Sequence, residues 1–338
     1  MVTPIDISLM HQAVDEAWKY QILTYPNPAV GAVISDDLGS IIAINAHKKA
    51  GAPHAEVEVI KDVYCKIAKD EQILEIQDSA KLHKYLKKNH SNIFRKLTIY
   101  VTLEPCNHQG KTPPCSHLIK ELGFKRVVIG KLDPNIQASG GAEYLRENAI
   151  SVDVLQNATS CQDLLFPFER SLHGHFIFFK LAMSLNGVID GGIITNEASR
   201  EQVHKYRDKI DLLVIGGNTV RVDRPRLDAR MIDGKAPDIL IYSKDKKIDR
   251  TIPLFNVENR KVYIEDDFEL LKKYKFIMIE GGEGMLRATH DIVDMYAIFR
   301  SSNFKIGNHP KVGIKLEQLS CRTLFGDTIS WFKKSRDI

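Results

Sequence analysis

No window of this 338-residue sequence approaches about 18 uninterrupted apolar residues, so a membrane-crossing helix is not expected. Met1 to Met10 lack the basic region and apolar core of a secretory signal. A dense Lys/Arg tract with interleaved aromatics is also missing. With 47 basic against 43 acidic residues the net charge is only +4, which argues against nucleic acid as a partner and suits a phosphorylated small molecule better. Cysteine is sparse and odd in number, five in all, which speaks against a disulfide framework and for a reducing, cytoplasmic setting. Cys65, Cys161 and Cys321 read as free thiols.

Apolar residues make up 43% of the chain, ample for more than one core, and a length of 338 predicts two domains. The most telling residues are His54-Ala-Glu56, followed by Pro105-Cys106 and then Cys115. One imidazole and two thiolates fill three corners of a zinc tetrahedron and leave the fourth for water. Glu56 is then the catalytic residue, a proton carrier that does not bind the metal, and the reaction class is hydrolytic deamination. Any one of these residues alone would read as a satisfied core side chain; the chemistry lies in the set. Pro53 marks a helix start with Val57, Val59 and Ile60 on its buried face, and Leu97 to Leu103 reads as a buried strand that delivers Cys106 at its carboxyl end.

Eight residues separate Cys106 from Cys115, where nucleoside and nucleic-acid deaminases carry two. The run Glu104-Pro-Cys-Asn-His-Gln-Gly-Lys-Thr-Pro-Pro-Cys115, with Tyr25-Pro-Asn-Pro-Ala-Val-Gly31 and Asp133-Pro-Asn135, resembles the bifunctional deaminase/reductase family of riboflavin biosynthesis. In the second half Lys180-Leu-Ala-Met-Ser-Leu-Asn-Gly187, Gly216-Gly-Asn-Thr-Val-Arg-Val-Asp-Arg-Pro-Arg-Leu227 and Ile279-Glu-Gly-Gly282 follow in that family's order. The resemblance implies an α/β chain: a three-layer α/β/α, cytidine-deaminase-like domain over 1–150, a joining segment 151–172, and a dihydrofolate-reductase-like α/β domain over 173–338. It also implies zinc and NADPH as cofactors and phosphorylated pyrimidines as substrates. Assembly into an oligomer of identical chains is expected.

Element by element, a helix is read from Asp6 to Trp18, a strand pair at Ala29–Ile34 and Ser40–Ala46, and a helix from His54. The Cys106 strand follows, then a helix near Ser116–Leu122, a strand at Arg126–Gly130 and a helix at Gly141–Asn148. Such alternation predicts a sheet with helices on its faces. Between Ile60 and Lys96 the chain departs from the family in a charged insertion with nine Lys/Arg and five Asp/Glu, to which Ile67, Leu74, Leu82, Tyr85 and Leu86 lend helical amphipathicity. It reads as a solvated helical face. The second half begins with a buried strand from Phe176, an N-cap at Thr195-Asn-Glu, a helix through Arg207, a strand at Asp211–Gly217, and a strand from Phe276 to a glycine turn and short helix.

By matching motif, the resemblance gives substrate-binding roles to Asn27, His47, His108 and Lys111 in the first half and to Arg207, Leu227, Arg230 and Glu280 in the second. Ala182, Thr219, Asp223 and the turn Gly282, Glu283, Gly284 would line the NADPH site. Two departures stand out: the loop between Gly187 and Thr195 is short, with Ile193 where the family has Trp, and the helix after Gly284 is compressed. Arg224 replaces an acidic residue beside Asp223 and would add positive charge near a phosphate. These changes leave open a deaminase that carries a degenerate reductase domain. A tRNA-type deaminase and a nucleotide-sensing regulatory protein are the other readings; RNA binding, or a second half that binds without turnover, would favour them.

Overall fold

Thr3 caps α1 (Pro4–Trp18): its hydroxyl accepts from the Asp6 N–H, and the Asp6 carboxylate accepts from the Thr3 N–H in return. Leu9, Ala13, Val14 and Ala17, the apolar positions read from the sequence, are buried along this helix. The computed structural model describes residues 2–110 and 112–335 and divides the chain into two units, Met1–Glu169 and Arg170–Ile338.

After α1 the first unit contains β1 (Gly31–Ser35), β2 (Ile41–Ala46), α2 (Ala55–Ala68), α3 (Ser79–Asn89), β3 (Thr98–Val101), α4 (Cys115–Leu122), β4 (Arg126–Ile129), α5 (Gly141–Glu147) and β5 (Ser151–Val154). The sheet order is β2-β1-β3-β4-β5, with β1 antiparallel to both neighbours and β3, β4 and β5 parallel. Strand alternation assigns the faces. Ala32, Ile34, Ile99, Val101, Val127 and Ile129 join a core with residues of α2, α3, α4 and α5, while Tyr100 bonds Asp6 of α1. Helices on both faces make three layers. A Cβ at Gly31 would lie 1.9 Å from the Ala13 carbonyl oxygen, so only glycine lets α1 settle this close to β1.

The insertion is ordered. It extends α2, passes through a 3-10 turn at Glu71–Glu75, and forms α3. Leu82 and Leu86 are buried as expected, but Ile67 and Leu74 are 44% and 41% exposed, and Ile73 takes the inward place instead. Lys69 ends α2 in a left-handed conformation, so the phase of the helix does not carry through to Leu74, while Ile67 sits in the last turn of α2, beyond Tyr64, the last buried position of that helix. Asp70 then fastens the segment by accepting from the hydroxyls of Tyr64 (3.3 Å) and Tyr85 (2.5 Å). Residues 151–172, expected to join the halves, carry β5 and most of α6 (Thr159–His173); Val152 and Val154 pack on the first core and make β5 an edge strand.

In the second unit β6 (Phe176–Met183), α7 (Glu197–Lys209), β7 (Leu212–Gly216), α8 (Gly217–Asp223), β8 (Asp238–Tyr242), β9 (Val262–Glu265), β10 (Phe276–Glu280), α9 (Glu283–Thr289), β11 (Met295–Arg300), β12 (Leu316–Leu324) and β13 (Asp327–Lys334) follow. Their sheet order is β12-β13-β11-β6-β10-β7-β8-β9, parallel from β11 to β9 and antiparallel at the β12-β13-β11 edge. Asn196 caps α7 by accepting from the Ser199 N–H, as the Thr195-Asn-Glu signal predicts. Tyr206 of α7 packs edge-on against Phe178, Phe299 and Trp331, with ring centres 5.9 to 6.2 Å apart. Met285 and Leu286 of α9 join a second core with Ile177, Phe179, Val214 and Ile279.

Asp6 holds the first unit's layers together. Its carboxylate, 2% exposed, accepts from Arg126 of β4 (2.7 and 3.2 Å), Tyr100 of β3 (2.8 Å) and the Thr3 hydroxyl (2.9 Å), and Arg126 also donates to Asp153 of β5. Burial alone would raise this acid; the donors, Arg126 foremost, bring it from 3.8 down to about 2. A depressed folded-state pKa contributes stability that is complete above about pH 4 and fades as pH falls towards 2, here on the order of 2 kcal/mol. Denaturant titrations of wild type and Asp6→Asn should therefore differ by about that amount at pH 7 and converge near pH 2. A difference independent of pH would place the stabilisation elsewhere.

Candidate active sites

The three expected metal ligands meet at the carboxyl edge of β3. His54 is the N-cap residue of α2, Cys115 opens α4, and Cys106 follows β3. His54 Nδ1 lies 3.6 Å from Cys106 Sγ and 3.5 Å from Cys115 Sγ, and the three ligand atoms lie within 4.8 Å of one another. One imidazole nitrogen and two buried sulfurs at this spacing fit a tetrahedral zinc site with one open position. Helix starts suit thiolates, because their free N–H groups and dipole favour negative charge. The Cys115 N–H points at Cys106 Sγ (3.4 Å), and hydrogen bonds from Cys115 and His54 outweigh burial to draw Cys106 down to about 4. Glu56, one residue into the first turn of α2, is 4% exposed; burial raises its carboxyl to about 7, against the pull of His54. Such an acid exchanges its proton near neutrality.

His54 Nε2 faces the Thr112 hydroxyl at 3.4 Å, which orients the ring from behind. Glu104 braces the loop that follows: its carboxylate accepts from the N–H groups of Asp133 (3.0 Å), Gly140 (3.2 Å) and Ala142 (2.8 Å). A Cβ at Gly141 would collide with the Pro105 carbonyl oxygen at 1.8 Å, so glycine is required where α5 presses on the cysteine loop. His47 and Asn27 come together beside the metal ligands. The His47 ring stands edge-on to His54, 5.4 Å between centres, and its Nδ1 bonds the Pro53 carbonyl at 3.0 Å. A carbonyl only accepts, so Nδ1 carries the proton and Nε2 accepts from the Asn27 amide at 3.1 Å. Burial brings His47 down to about 4 and keeps it neutral.

His108 is exposed on the loop between the cysteines, and Lys111 lies outside the described residues. The insertion brings a further imidazole close: His83 of α3 is buried, its Nε2 lacks a hydrogen-bond partner, and the charges of Cys106 and His54 reach it. Thr112, Glu104 and His83 carry no signal in the sequence beyond the motif around the first two.

In the second unit Lys180, Glu280 and Arg207 form one cluster. Lys180 and Glu280 are paired in register on β6 and β10, Arg207 of α7 donates to both Glu280 oxygens (2.9 and 3.0 Å), and Lys180 Nζ stands 3.7 Å from Glu280. Burial opposes ionisation of Glu280, but Arg207 and Lys180 hold it at about 2. Arg230 is ion-paired to Asp228 at 2.6 Å and Arg207 also reaches the Asp228 carbonyl at 3.3 Å, so Arg207, Arg230 and Glu280 are brought together. The Leu227 side chain is buried and its carbonyl is taken by Arg260, which leaves its backbone N–H for any contact.

Ala182 lies two residues beyond Lys180 on β6, Thr219 and Asp223 lie on α8, and Gly282, Glu283 and Gly284 span the start of α9. Met285 packs against both glycine turns, close to Gly216 and Gly281, which joins the α8 and α9 ends. Glu283 is engaged by Arg287 and the Lys311 N–H. Arg224 does not add free charge here: it pairs with Asp249 and bonds Thr251, a partnership that the local sequence does not reveal. The short loop after Gly187 is stitched to residues 305–308, with Lys305 donating to the Gly191 and Ile193 carbonyls and Asp190 accepting from Asn308.

Residues 4–131 match the cytidine and deoxycytidylate deaminase zinc-binding region, and residues 175–305 match the RibD C-terminal domain. The riboflavin biosynthesis protein RibD of Aquifex aeolicus is 33% identical over 267 residues, 76% of this chain and 67% of that protein. RibD of Corynebacterium ammoniagenes is 29% identical over 319 residues, 89% of this chain and 87% of that protein. A diaminohydroxyphosphoribosylaminopyrimidine deaminase/5-amino-6-(5-phosphoribosylamino)uracil reductase of Thermotoga maritima superposes with a TM-score of 0.64 at 26% identity, covering 98% of this chain and 99% of that one. RibD of Acinetobacter baumannii shares the fold, with a TM-score of 0.63 at 22% identity over 98% of this chain and 99% of its own. A match through residues 175–305 sets aside the reading of a degenerate second half.

The ligand set makes a direct prediction for metal content. Elemental analysis should find one zinc per chain in wild type and none retained in a Cys106→Ala, Cys115→Ala double variant, since a single imidazole does not hold the metal tightly. Undiminished zinc in that variant would refute the assignment.

Proposed function

This chain belongs to the RibD family of bifunctional riboflavin-biosynthesis enzymes, and we propose that its two units perform the two reactions with the residues assembled above. The first is hydrolytic deamination of diaminohydroxyphosphoribosylaminopyrimidine; the second is NADPH-dependent reduction of the ribosyl chain of 5-amino-6-(5-phosphoribosylamino)uracil. The observation that carries the reading is the His54, Cys106, Cys115 cluster with Glu56 buried beside it.

Zinc held by those three residues supplies the Lewis acid that makes water nucleophilic at neutral pH. Glu56 takes a proton on its carboxylate and delivers it to the departing amine. His47, neutral and locked by Pro53 and Asn27, walls the pocket without adding charge. Asn27 presents its amide to the pyrimidine, and His108 and Lys111, on the loop between the cysteines, are donors for its phosphate or carbonyl.

In the second unit NADPH supplies the hydride. Glu280, kept ionised by Arg207 and Lys180, holds ribose hydroxyls and stabilises positive charge at the carbon that is reduced. Arg230 and Arg207 bind the phosphate, and the Leu227 backbone borders the base. Ala182, Thr219, Asp223, Gly282, Glu283 and Gly284 line the cofactor; their grouping at the ends of β6, β7 and β10 supports this assignment. Two cysteines placed to hold a metal and three others left as thiols support a reducing, cytoplasmic setting, and sedimentation tests assembly into an oligomer of identical chains.

Separate assays of the half-reactions test the proposal. Glu56→Gln should keep its zinc and its reductase activity but lose deamination by roughly a hundredfold or more; a near-normal rate would make Glu56 structural. The shortened loops offer NADPH less surface, and a deficit felt equally in the ground and transition states raises the KM for NADPH while turnover at saturation persists. Absence of NADPH oxidation at every concentration would overturn the assignment of the second unit.

A further inference from the structure

Three arginines converge on one residue of the second unit. Asp228, 5% exposed, accepts Arg226 Nε on one oxygen and Arg230 Nη1 on the other, both at 2.6 Å, and its carbonyl takes Arg207 Nη1. The side chains of Arg226 and Arg230 are 52% and 58% exposed. An incidental surface ion pair leaves both partners in water. Here the carboxylate is withdrawn, at a desolvation cost that its two guanidinium partners must offset. Each guanidinium keeps N–H donors beyond the one that Asp228 takes.

The backbone beneath is clamped as well. Leu227 sits at φ 55°, a left-handed conformation that a branched aliphatic residue adopts only when its surroundings enforce it. Arg260 enforces it by donating to the Arg226 and Leu227 carbonyls, both at 2.7 Å, and the Leu254 N–H bonds the Pro225 carbonyl at 3.0 Å. The guanidinium spacing is thus set before any ligand arrives, which lowers the ordering cost of binding.

Charge identifies the ligand class. Lys180, Arg207, Arg226, Arg230 and Arg260 set against Glu280 and Asp228 leave an excess of three positive charges, which favours an anionic ligand such as a phosphate monoester. His204 precedes Arg207 by three residues on the same side of α7; it is buried, its Nδ1 has no hydrogen-bond partner, and burial with the charges of Arg207 and Arg230 brings it to about 4, so it adds no charge near neutrality.

We propose that Asp228 is a positioning residue of the reductase site, setting Arg226 beside Arg230 so that the two guanidinium groups grip the substrate phosphate together, and that Arg226 is a substrate-binding residue. The inference rests on the reductase reading of the second unit. Steady-state kinetics of the full-length enzyme with 5-amino-6-(5-phosphoribosylamino)uracil, and with the same compound lacking its phosphate, test it. Arg226→Gln and Asp228→Asn should each raise the KM for the phosphorylated substrate roughly tenfold to a hundredfold, as loss of a charge-assisted hydrogen bond does. Turnover and the KM for NADPH should stay within about twofold of wild type, as expected for uniform binding. Towards the dephosphorylated compound the variants and wild type should be equal, and Asp228→Glu should recover part of the loss. A normal KM for the phosphorylated substrate in Arg226→Gln, which alters only a half-exposed side chain, overturns the proposal even if Asp228→Asn fails to fold. A wild-type enzyme that does not reduce the compound at all would instead overturn the reductase reading.

Discussion

A carboxylate withdrawn from water must be surrounded by donors, and this constraint arranges most of what matters in the chain. Asp6 gathers Arg126, Tyr100 and Thr3 and so fixes α1 against β3 and β4. Glu104 collects three backbone N–H groups and thereby shapes the turn next to the cysteine loop. In the second unit Glu280 orders Arg207 and Lys180, and Asp228 orders Arg226 and Arg230. Asp6, Glu104 and Glu280 thereby tie together segments distant in the chain, whereas the Asp228 carboxylate fixes the conformation of its own turn.

What can be read in advance follows from how local the chemistry is. Metal ligation restricts residue type and spacing so strongly that His54, Cys106 and Cys115 stand out, and the structure brings their ligand atoms within 4.8 Å. Periodicity accounts for the existence of α1, α2, α4, α7 and the central strands, with ends shifted by a residue or a few. The bonds that tune the sites are not legible. Thr112 serves a histidine 58 positions away and Glu104 serves an amide 38 positions away, and a threonine or glutamate in a loop looks the same whether solvated or engaged. The pairing of Arg224 escapes the sequence for the same reason, since its partner Asp249 lies 25 residues on. Leu74 faces outward against expectation because one left-handed residue, Lys69, interrupts the helical phase before it, and Ile67 because the last turn of α2 runs past the buried part of that helix.

The shortened loop of the reductase unit also looks different in three dimensions. Lys305, Asn308 and Asp190 tie residues 186–193 to residues 305–308 through side-chain and backbone bonds, so a truncated loop is held in place rather than left slack. It has less surface to offer a cofactor, yet the cofactor does not have to order it.

The ligand positions have a topological consequence for the charged insertion. His54 and Cys106 are separated by 52 positions, whereas Cys106 and Cys115 are separated by 9, and the whole insertion lies inside the longer interval. A metal bridging His54 and Cys106 closes that interval into a ring, and the entropy of ring closure grows only with the logarithm of ring size, about 0.6 kcal/mol for a doubling. This part of the chain can lengthen at little cost to the metal's grip. The short ring between the two cysteines includes Thr112, whose hydroxyl faces His54 Nε2, and Pro114, the N-cap residue of α4, so a change in its length falls on residues that touch the ligands or start their helix. Added length therefore costs least on the side of the site that carries the insertion, which is also where it can bring a new side chain such as His83 towards the ligands.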